Sequence, residues 1–440
     1  MFMVIKKIIK KIDNISMNCL CKLILIIIVK SKSLSSNLSS SKRIIVDCSN
    51  LYTSDMNTGI QRVTRNIITN LKLCIDSDIS IIPASLENNL IINVENYIFN
   101  SSKDNNVVVS SNFKLVTYLR KRLRRITLCF TLRDKLVVPT EKDIVILIDA
   151  SWGNQIWESL ENIRKSRSTI ITVIYDLIPI DYPQFVNNEF SSAFQNWIEK
   201  TLIYSSGYIS ISETVKNNLI QYLQSKGIAI DDFLFNYWRL GSDFTSSKVH
   251  KLNSPVYQKA FTGGVTYLTV SYIQPRKNHT FVLDAFDELW KKGIDVVYCI
   301  VGKIDKKMDF LSSRIKLHPE YNKRLFLLDN VSDEELAYCY QNSKALIFPS
   351  IVEGFGLPIL ESLKSGLSVL ASDTPIHHEV GKDMIEYFSL EDPRDLIQMI
   401  ENIESGTRQL KKVDSENIHI TTWKESAEEF LQKVLEMVHR

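Results

Sequence analysis

The stretch FPSIVEGFGLPILESLKSG, Phe348 to Gly366, decides the reading of this 440-residue chain. Just upstream, Lys344 to Pro349 (KALIFP) is a short apolar run of the kind that forms a buried strand. Pro358 to Lys364 has apolar residues at helical spacing, with a proline near its start where the missing N–H is not needed. Between them lies a loop with Glu353, Gly354, Phe355 and Gly356, running into Leu357. A strand that passes through glycines into a helix start aims unpaired N–H groups and the positive end of the helix dipole at one place, which suits an anion. Glycine there lets backbone approach a ligand closely. Glu353 on the loop and Glu361 in the early helix are eight residues apart and can border one cleft. Each residue also has a plain structural reading: Glu361 as a favourable dipole contact and Gly366 as a helix-ending glycine.

Similar strand-to-turn junctions occur elsewhere. TIITVIYDLIP, Thr169 to Pro179, is rich in β-branched residues without polar alternation, which implies a parallel strand buried on both faces. Functional groups sit at the carboxyl ends of such strands, here Tyr175 and Asp176, although Asp176 also reads as a strand-end cap. VTYLTVSYIQPRKNHTF begins with a strand, Val265 to Ile273, and turns through Arg276 and Lys277 into a helix. Adjacent cations at that turn suit a diphosphate, Arg by forked hydrogen bonds and Lys as a point charge; on other proteins such a pair is often solvated surface. Near the start, RIIVD (Arg43 to Asp47) leads through Thr58 and Gly59 into a helix from about Ile60 to Leu71. That glycine turn is where a doubly wound domain presents backbone to a ligand, with a helix-starting glycine and a solvated Arg62 as the other reading.

Length and composition fit two globular domains, with 45% hydrophobic and 23% charged residues. Strands are expected also at Ile79 to Ile82, Val107 to Ser110, Asp143 to Ala150, Gly207 to Ser212, Val296 to Lys303, Leu325 to Val331 and Ser368 to Asp373. Residues 43–250 form one domain, 265–422 a second, and 423–440 a terminal amphipathic helix; the polar stretch Thr245 to Gly264 reads as the linker. Met1 to Lys42 holds eight Lys against Asp13, a charge of +7, so the net +3 leaves the rest at −4 (3 − 7). Ile5, Ile8, Ile9, Ile12 and Ile15 recur at helical spacing opposite Lys6, Lys7, Lys10 and Lys11, the pattern of a helix lying on an anionic membrane. An uncleaved signal and a disordered start are the competing readings, and Leu23 to Val29 is too short to cross a bilayer. Ser31 to Lys42 is a Ser-rich linker, and RKRLRR, Arg120 to Arg125, adds a second basic cluster on a helix, Phe113 to Ile126.

The seven cysteines are scattered, which suggests reduced thiols in a cytoplasmic setting. Nucleic acid is a poor partner because no recognised module appears and the body of the chain is acidic. No essential metal is expected. His377 and His378 are consecutive, so on a helix they point apart and read as a solvated helix start together with Glu379, and Asp76-Ser77-Asp78 reads as turn chemistry. The first histidine of the chain is His250, so the first domain supplies no imidazole base.

Glu353-Gly-Phe-Gly-Leu-Pro-x-x-Glu361 resembles the Glu-x7-Glu signature of the retaining glycosyltransferases of family four, and three other stretches match the same family. These are Gly59-Ile60-x-Arg62, Tyr175-Asp176 and Pro275-Arg276-Lys277-Asn278; Arg239 to Phe244 (RLGSDF) resembles the segment that closes the first domain. The resemblance implies an α/β fold of GT-B type, two Rossmann-like doubly wound domains facing across a cleft. It implies a nucleotide-diphosphate sugar donor and a glycan or lipid-linked acceptor. Arg276, Lys277 and the backbone at Gly354 to Gly356 would hold the diphosphate, Glu353 would position sugar hydroxyls and Glu361 would grip the ribose. Gly59 would face the donor phosphates or the acceptor, Asp176 the cleft, and Gly302, Lys303, Asn330 and Val331 the base. Tyr175 stands where many members have histidine, which resembles mannosyltransferases of bacterial O-antigen and capsule assembly, with mannose drawn from GDP-mannose at the inner face of the cell membrane. Transfer of glucose, N-acetylglucosamine, fucose or rhamnose, and a non-catalytic sugar-binding role, are the alternatives.

Overall fold

The computed structural model describes residues 42–56, 58–75, 78–86, 90–100, 134–153, 156–243, 254–415 and 418–438. The expected membrane helix and linker before Lys42, the strand Val107 to Ser110, the basic helix Phe113 to Ile126, and Asp76 with Ser77 lie outside these residues. The described residues divide into two compact units: those within 1–173 with 197–208 and Val438, and those within 174–196 with 209–437.

In the first unit, β1 (Lys42–Asp47) lies between β2 (Ile79–Ser85) and β4 (Ile144–Leu147), parallel to both. Ile44 sits opposite Ile81 on one side and Ile144 on the other. Next to β4 runs β5 (Thr169–Ile174), also parallel, while β3 (Ile92–Asn93) closes the other edge antiparallel to β2. All four residues of β4 are buried, as expected of a strand with helices on both faces. The Gly59–Cys74 helix starts with a capping box, Thr58 receiving the Gln61 N–H while the Gln61 side chain receives the Thr58 N–H. It buries Val63, Ile67, Ile68 and Leu71 at helical spacing.

The second unit contains a parallel sheet in the order β10-β9-β8-β11-β12-β13. Its strands are β8 (Val265–Val270), β9 (Val296–Val301), β10 (Leu325–Leu328), β11 (Ala345–Phe348), β12 (Ser368–Ser372) and β13 (Glu386–Phe388). Strand order reverses between β8 and β11, which pair directly through Ala345 opposite Tyr267 and Leu346 opposite Leu268. A reversal of this kind opens a crevice at the carboxyl ends of the two strands, where open α/β sheets bind ligands. The core over this sheet gathers Tyr267, Phe286, Tyr298, Ile300, Leu370 and Phe388, covered by the His279–Lys291 and Pro393–Glu404 helices.

The structure differs from the expected linker at Pro255–Thr262, which is a helix. Proline begins it, and Tyr257, Ala260 and Phe261 form its buried side; Tyr257 and Phe261 meet the Tyr338 ring edge-on at 6.4 and 5.8 Å. Three strands escaped the sequence reading, β3, β7 (Leu234–Tyr237) and the edge strand β13. All are short, and none has the unbroken β-branched run that marks the central strands.

The terminal helix, Trp423–Val438, packs on the segment after β7. Phe430 and Trp238 are both fully buried with ring centroids 4.8 Å apart. Ser426 Oγ donates to the Arg239 carbonyl at 2.6 Å, and the Trp423 N–H donates to Asp243 at 3.0 Å. Gly241 is needed where it stands, since a Cβ there would come within 2.5 Å of Trp423 backbone. Phe430→Ala should therefore lose about 3–5 kcal/mol of stability in urea unfolding; a loss below about 1 kcal/mol would show that this helix is not anchored through the Trp238 contact.

Candidate functional site

The crevice between β8 and β11 is built by two turns that hold each other. After β8 a short 3₁₀ turn, Pro275–Lys277, ends at Asn278 in a left-handed conformation (φ 54°) and starts the His279–Lys291 helix. After β11, Ile351 N–H donates to the Arg276 carbonyl at 2.9 Å. Arg276 Nη1 returns a bond to the Val352 carbonyl at 3.0 Å. These paired turns bring Arg276, Lys277 and Glu353 together.

Arg276 Nη1 lies 2.8 Å from Glu353 Oε2, and Lys277 Nζ pairs with Glu353 Oε1. The side chains are 21%, 11% and 8% exposed for Arg276, Lys277 and Glu353, so water does little to screen them. Lys277 Nζ also lies 5.3 Å from the centre of the Phe348 ring. Burial alone would push the Glu353 carboxyl up, but the Lys277 ammonium and the Arg276 guanidinium outweigh it and hold the group well below the usual carboxylate range. Burial lowers Lys277 despite its carboxylate partner. Arg276 is drawn down by burial, yet Glu353 leaves it raised. Asp176, at the end of β5, accepts the Ile178 N–H at 3.0 Å and so does cap its strand end. It also belongs to the charged group: burial raises its pKa while Arg276 acts in the opposite sense.

Gly354 has a steric reason of its own. A Cβ there would sit 2.2 Å from the Tyr175 carbonyl oxygen, and the Gly354 carbonyl accepts Ser212 Oγ at 3.0 Å. Gly356 takes φ +116° and leads into the Leu357–Lys364 helix with Pro358 in its first turn, while Phe355 is buried. Glu361 is 4% exposed, and one of its oxygens accepts Tyr340 Oη at 3.0 Å. Gly302 (φ +146°) ends β9 hard against the Ser271 carbonyl, where a Cβ would lie at 1.8 Å. Gly59 belongs to the first unit as the first residue of its helix, with open space where a Cβ would be.

The expected solvated helix start at His377 and His378 is corrected. His377 is fully buried, its Nδ1 donating to the Ser372 carbonyl at 2.8 Å and its ring 5.1 Å from Phe348; burial lowers its pKa, so the ring is neutral. The Pro375–Gly381 helix packs this side inward against β11 and β12, which adjacency in sequence could not reveal. His378 does face outward, stacked on Tyr387 at 3.9 Å and 2.6 Å from Asp373. Among the described residues no group of three His, Cys, Asp or Glu side chains is placed to hold a metal ion.

Sequence reasoning missed most of the surrounding wall. A cleft of about 670 Å³ is lined by Asp176, Asp181, Tyr182, Thr214, Glu353 and Thr374, among others. Glu379 fixes one side of it, accepting the N–H groups of Glu213 and Thr214 at 2.7 and 2.8 Å and Thr214 Oγ1 at 2.6 Å. A carboxylate at the start of the Glu213–Ser225 helix is favoured by the helix dipole. No spacing links Glu379 to Thr214 across 165 residues. Two buried cations bridged by a carboxylate at a strand-order reversal can trade part of that pairing for an anionic ligand while keeping their charge neutralised.

Residues 257–417 match the family model described as Glycosyl transferases group 1. The serotype-specific mannosyltransferase WbdA of Escherichia coli is 28% identical over 405 residues, covering 90% of this chain and 47% of WbdA. The O-antigen chain mannosyltransferase RfbU of Salmonella typhimurium is 28% identical over 242 residues, 54% of this chain and 61% of the relative. The chain thus spans about half the length of the WbdA proteins it matches. Among solved structures, Anabaena HepE in complex with UDP superposes with a TM-score of 0.56 at 14% identity, over 90% of this chain and 98% of HepE. Sucrose-phosphate synthase of Thermosynechococcus elongatus gives 0.52 at 15% identity, over 90% and 94%. These likenesses show the fold, which is GT-B.

Glu353→Gln should cost about 3–5 kcal/mol at pH 7, because it leaves two buried cations without their carboxylate. A depressed folded-state pKa contributes stability that is present above the unfolded value, about 4.3, and lost as pH falls through the folded one. The gap between wild type and variant in urea unfolding should therefore shrink below pH 4; a gap constant from pH 7 to pH 3 would contradict the ion pairing.

Proposed function

We propose that this chain, whose residues 257–417 match the group 1 model, is a retaining hexosyltransferase that moves mannose from GDP-mannose to a glycan or lipid-linked acceptor of bacterial surface polysaccharide. The observation that carries the reading is the convergence of Arg276 and Lys277 on Glu353 at the carboxyl ends of β8 and β11. The mannosyltransferase names of WbdA and RfbU support mannose as the sugar.

In this reading Arg276 grips the diphosphate by forked hydrogen bonds and Lys277 adds a point charge. The bond between the anomeric carbon and the diphosphate oxygen breaks, and an acceptor hydroxyl oxygen bonds to that carbon on the same face. The hydroxyl proton passes to the departing phosphate oxygen. Negative charge grows on the leaving group in a site already cationic, and preorganised stabilisation of this kind supplies about 3–4 kcal/mol per donor in measured cases. Glu353 holds sugar hydroxyls, and its two cationic partners keep it ionised and acceptor-only. Asp176 borders the same cleft, and in this reading Glu361, whose carboxylate accepts Tyr340 Oη, grips the ribose. The proposal includes no metal, because neutralising the leaving diphosphate falls to Arg276 and Lys277.

An anionic membrane surface completes the list of partners, resting on the +7 of Met1 to Lys42 and on Arg120 to Arg125. No helix of the described residues is long and apolar enough to cross a membrane. Removing residues 1–42 should shift the protein from the membrane pellet to the supernatant, and an unchanged distribution would count against this anchor.

Arg276→Ala should weaken GDP binding by about tenfold or more, roughly 1.4 kcal/mol, the scale of a lost charge-assisted hydrogen bond. Calorimetry with GDP measures this directly, and unchanged affinity would remove Arg276 from the donor site. Glu353→Gln should bind GDP yet release no nucleotide from GDP-mannose; wild-type turnover would take Glu353 out of the mechanism.

A further inference from the structure

One wall of the cleft carries no charge. Thr214, Asn218, Gln221 and Ser225 fall at i, i+4, i+7 and i+11 of the Glu213–Ser225 helix and so share one face, and all four line the cleft that Glu353 borders. Val215, Leu219 and Leu223 are buried and hold the helix in place. Thr214 gives its hydroxyl proton to Glu379 and Ser225 gives its own to the Tyr222 carbonyl, so both present acceptor lone pairs. The side-chain amides of Asn218 and Gln221 hydrogen-bond to no described residue. The segment after β5 also lines the cleft, with Asp176, Asp181 and the Tyr182 ring.

We propose that the Thr214–Asn218–Gln221–Ser225 face is the acceptor-binding wall and that it takes the acceptor as a saccharide, its hydroxyls bonded by the Asn218 and Gln221 amides. This rests on the glycosyl-transfer reading of the Arg276–Lys277–Glu353 group. A sugar hydroxyl both donates and accepts, and a carboxamide offers two donors and an acceptor, so the two match in either direction. A phosphate needs donors or cations, and no lysine or arginine is among the described residues that line this cleft, whereas Asp176 and Asp181 would repel an anion near the helix face. An apolar occupant would strip water from two amides and return nothing. From Thr214 to Gln221 the face extends about 10 Å at 1.5 Å per residue, enough for contacts to several hydroxyls along a chain. The Tyr182 ring gives the less polar face of a sugar a surface to lie on.

The test uses the full chain and methyl α-mannobioside as the probe, with saturation-transfer NMR for the disaccharide and calorimetry for GDP in the same samples. Asn218→Ala/Gln221→Ala should weaken the disaccharide by about tenfold and leave GDP affinity unchanged, as expected for the loss of two modest hydrogen bonds. Alanine suits the helix, so the variant should keep the wild-type melting temperature. Equal disaccharide affinity in wild type and variant, or no disaccharide binding by the wild type, overturns the acceptor wall. The transfer reading fails separately, by absence of nucleotide release from GDP-mannose in the wild type.

Discussion

Two cations and a carboxylate buried together at the ends of β8 and β11 set the terms for the rest of the second unit. Removing charges from water costs several kcal/mol per ion, and a buried pair is often no more stabilising than apolar residues of the same size. Arg276, Lys277 and Glu353 are therefore poorly explained as a device for stability. They are well explained as charge held ready where a sheet of this order opens a crevice. The surplus cation is balanced in part by Asp176, whose Ile178 bond and Arg276 neighbour oppose, without cancelling, the rise that burial gives its pKa. An anionic group arriving there meets donors already oriented by the protein.

Holding that group in place requires backbone to run closer to backbone than a side chain permits. Gly354 lets the Glu353 loop touch the Tyr175 carbonyl, and Gly302 lets the end of β9 touch the Ser271 carbonyl. Gly241 does the same for the start of the terminal helix. The glycines near the crevice thus serve first the protein's own close packing, which brings Asp176 and Glu353 to the border of one cleft. Ser212 and Glu379 then tie the Glu213–Ser225 helix to the Glu353 loop and to the Pro375–Gly381 helix. Charge, glycine contacts and helix caps act on one small region.

Much of this was legible in the sequence because it depends on local chemistry. The apolar runs at β1, β4, β8, β9 and β11 and the proline-started Leu357–Lys364 helix each carry their own signal. Arg276, Lys277 and Glu353 could be named since the turns that hold them follow strong strands. The illegible parts depend on distant partners. Nothing around His377 announces burial, because burial comes from packing against Phe348. Glu379 looks like surface charge until Thr214 is beside it, and Asn218 and Gln221 look like ordinary exposed helix until the cleft is drawn. Pro255–Thr262 was hidden by the polar and glycine residues on either side of it, although its apolar spacing is helical.

Everything proposed for the second unit depends on a diphosphate lying at the Arg276–Lys277–Glu353 group, and a structure of the chain bound to GDP measures this most directly. Diphosphate oxygens are expected within hydrogen-bond distance of the Arg276 guanidinium and the Lys277 ammonium, at the carboxyl ends of β8 and β11. A diphosphate bound elsewhere, with Glu353 still holding both cations, would contradict it.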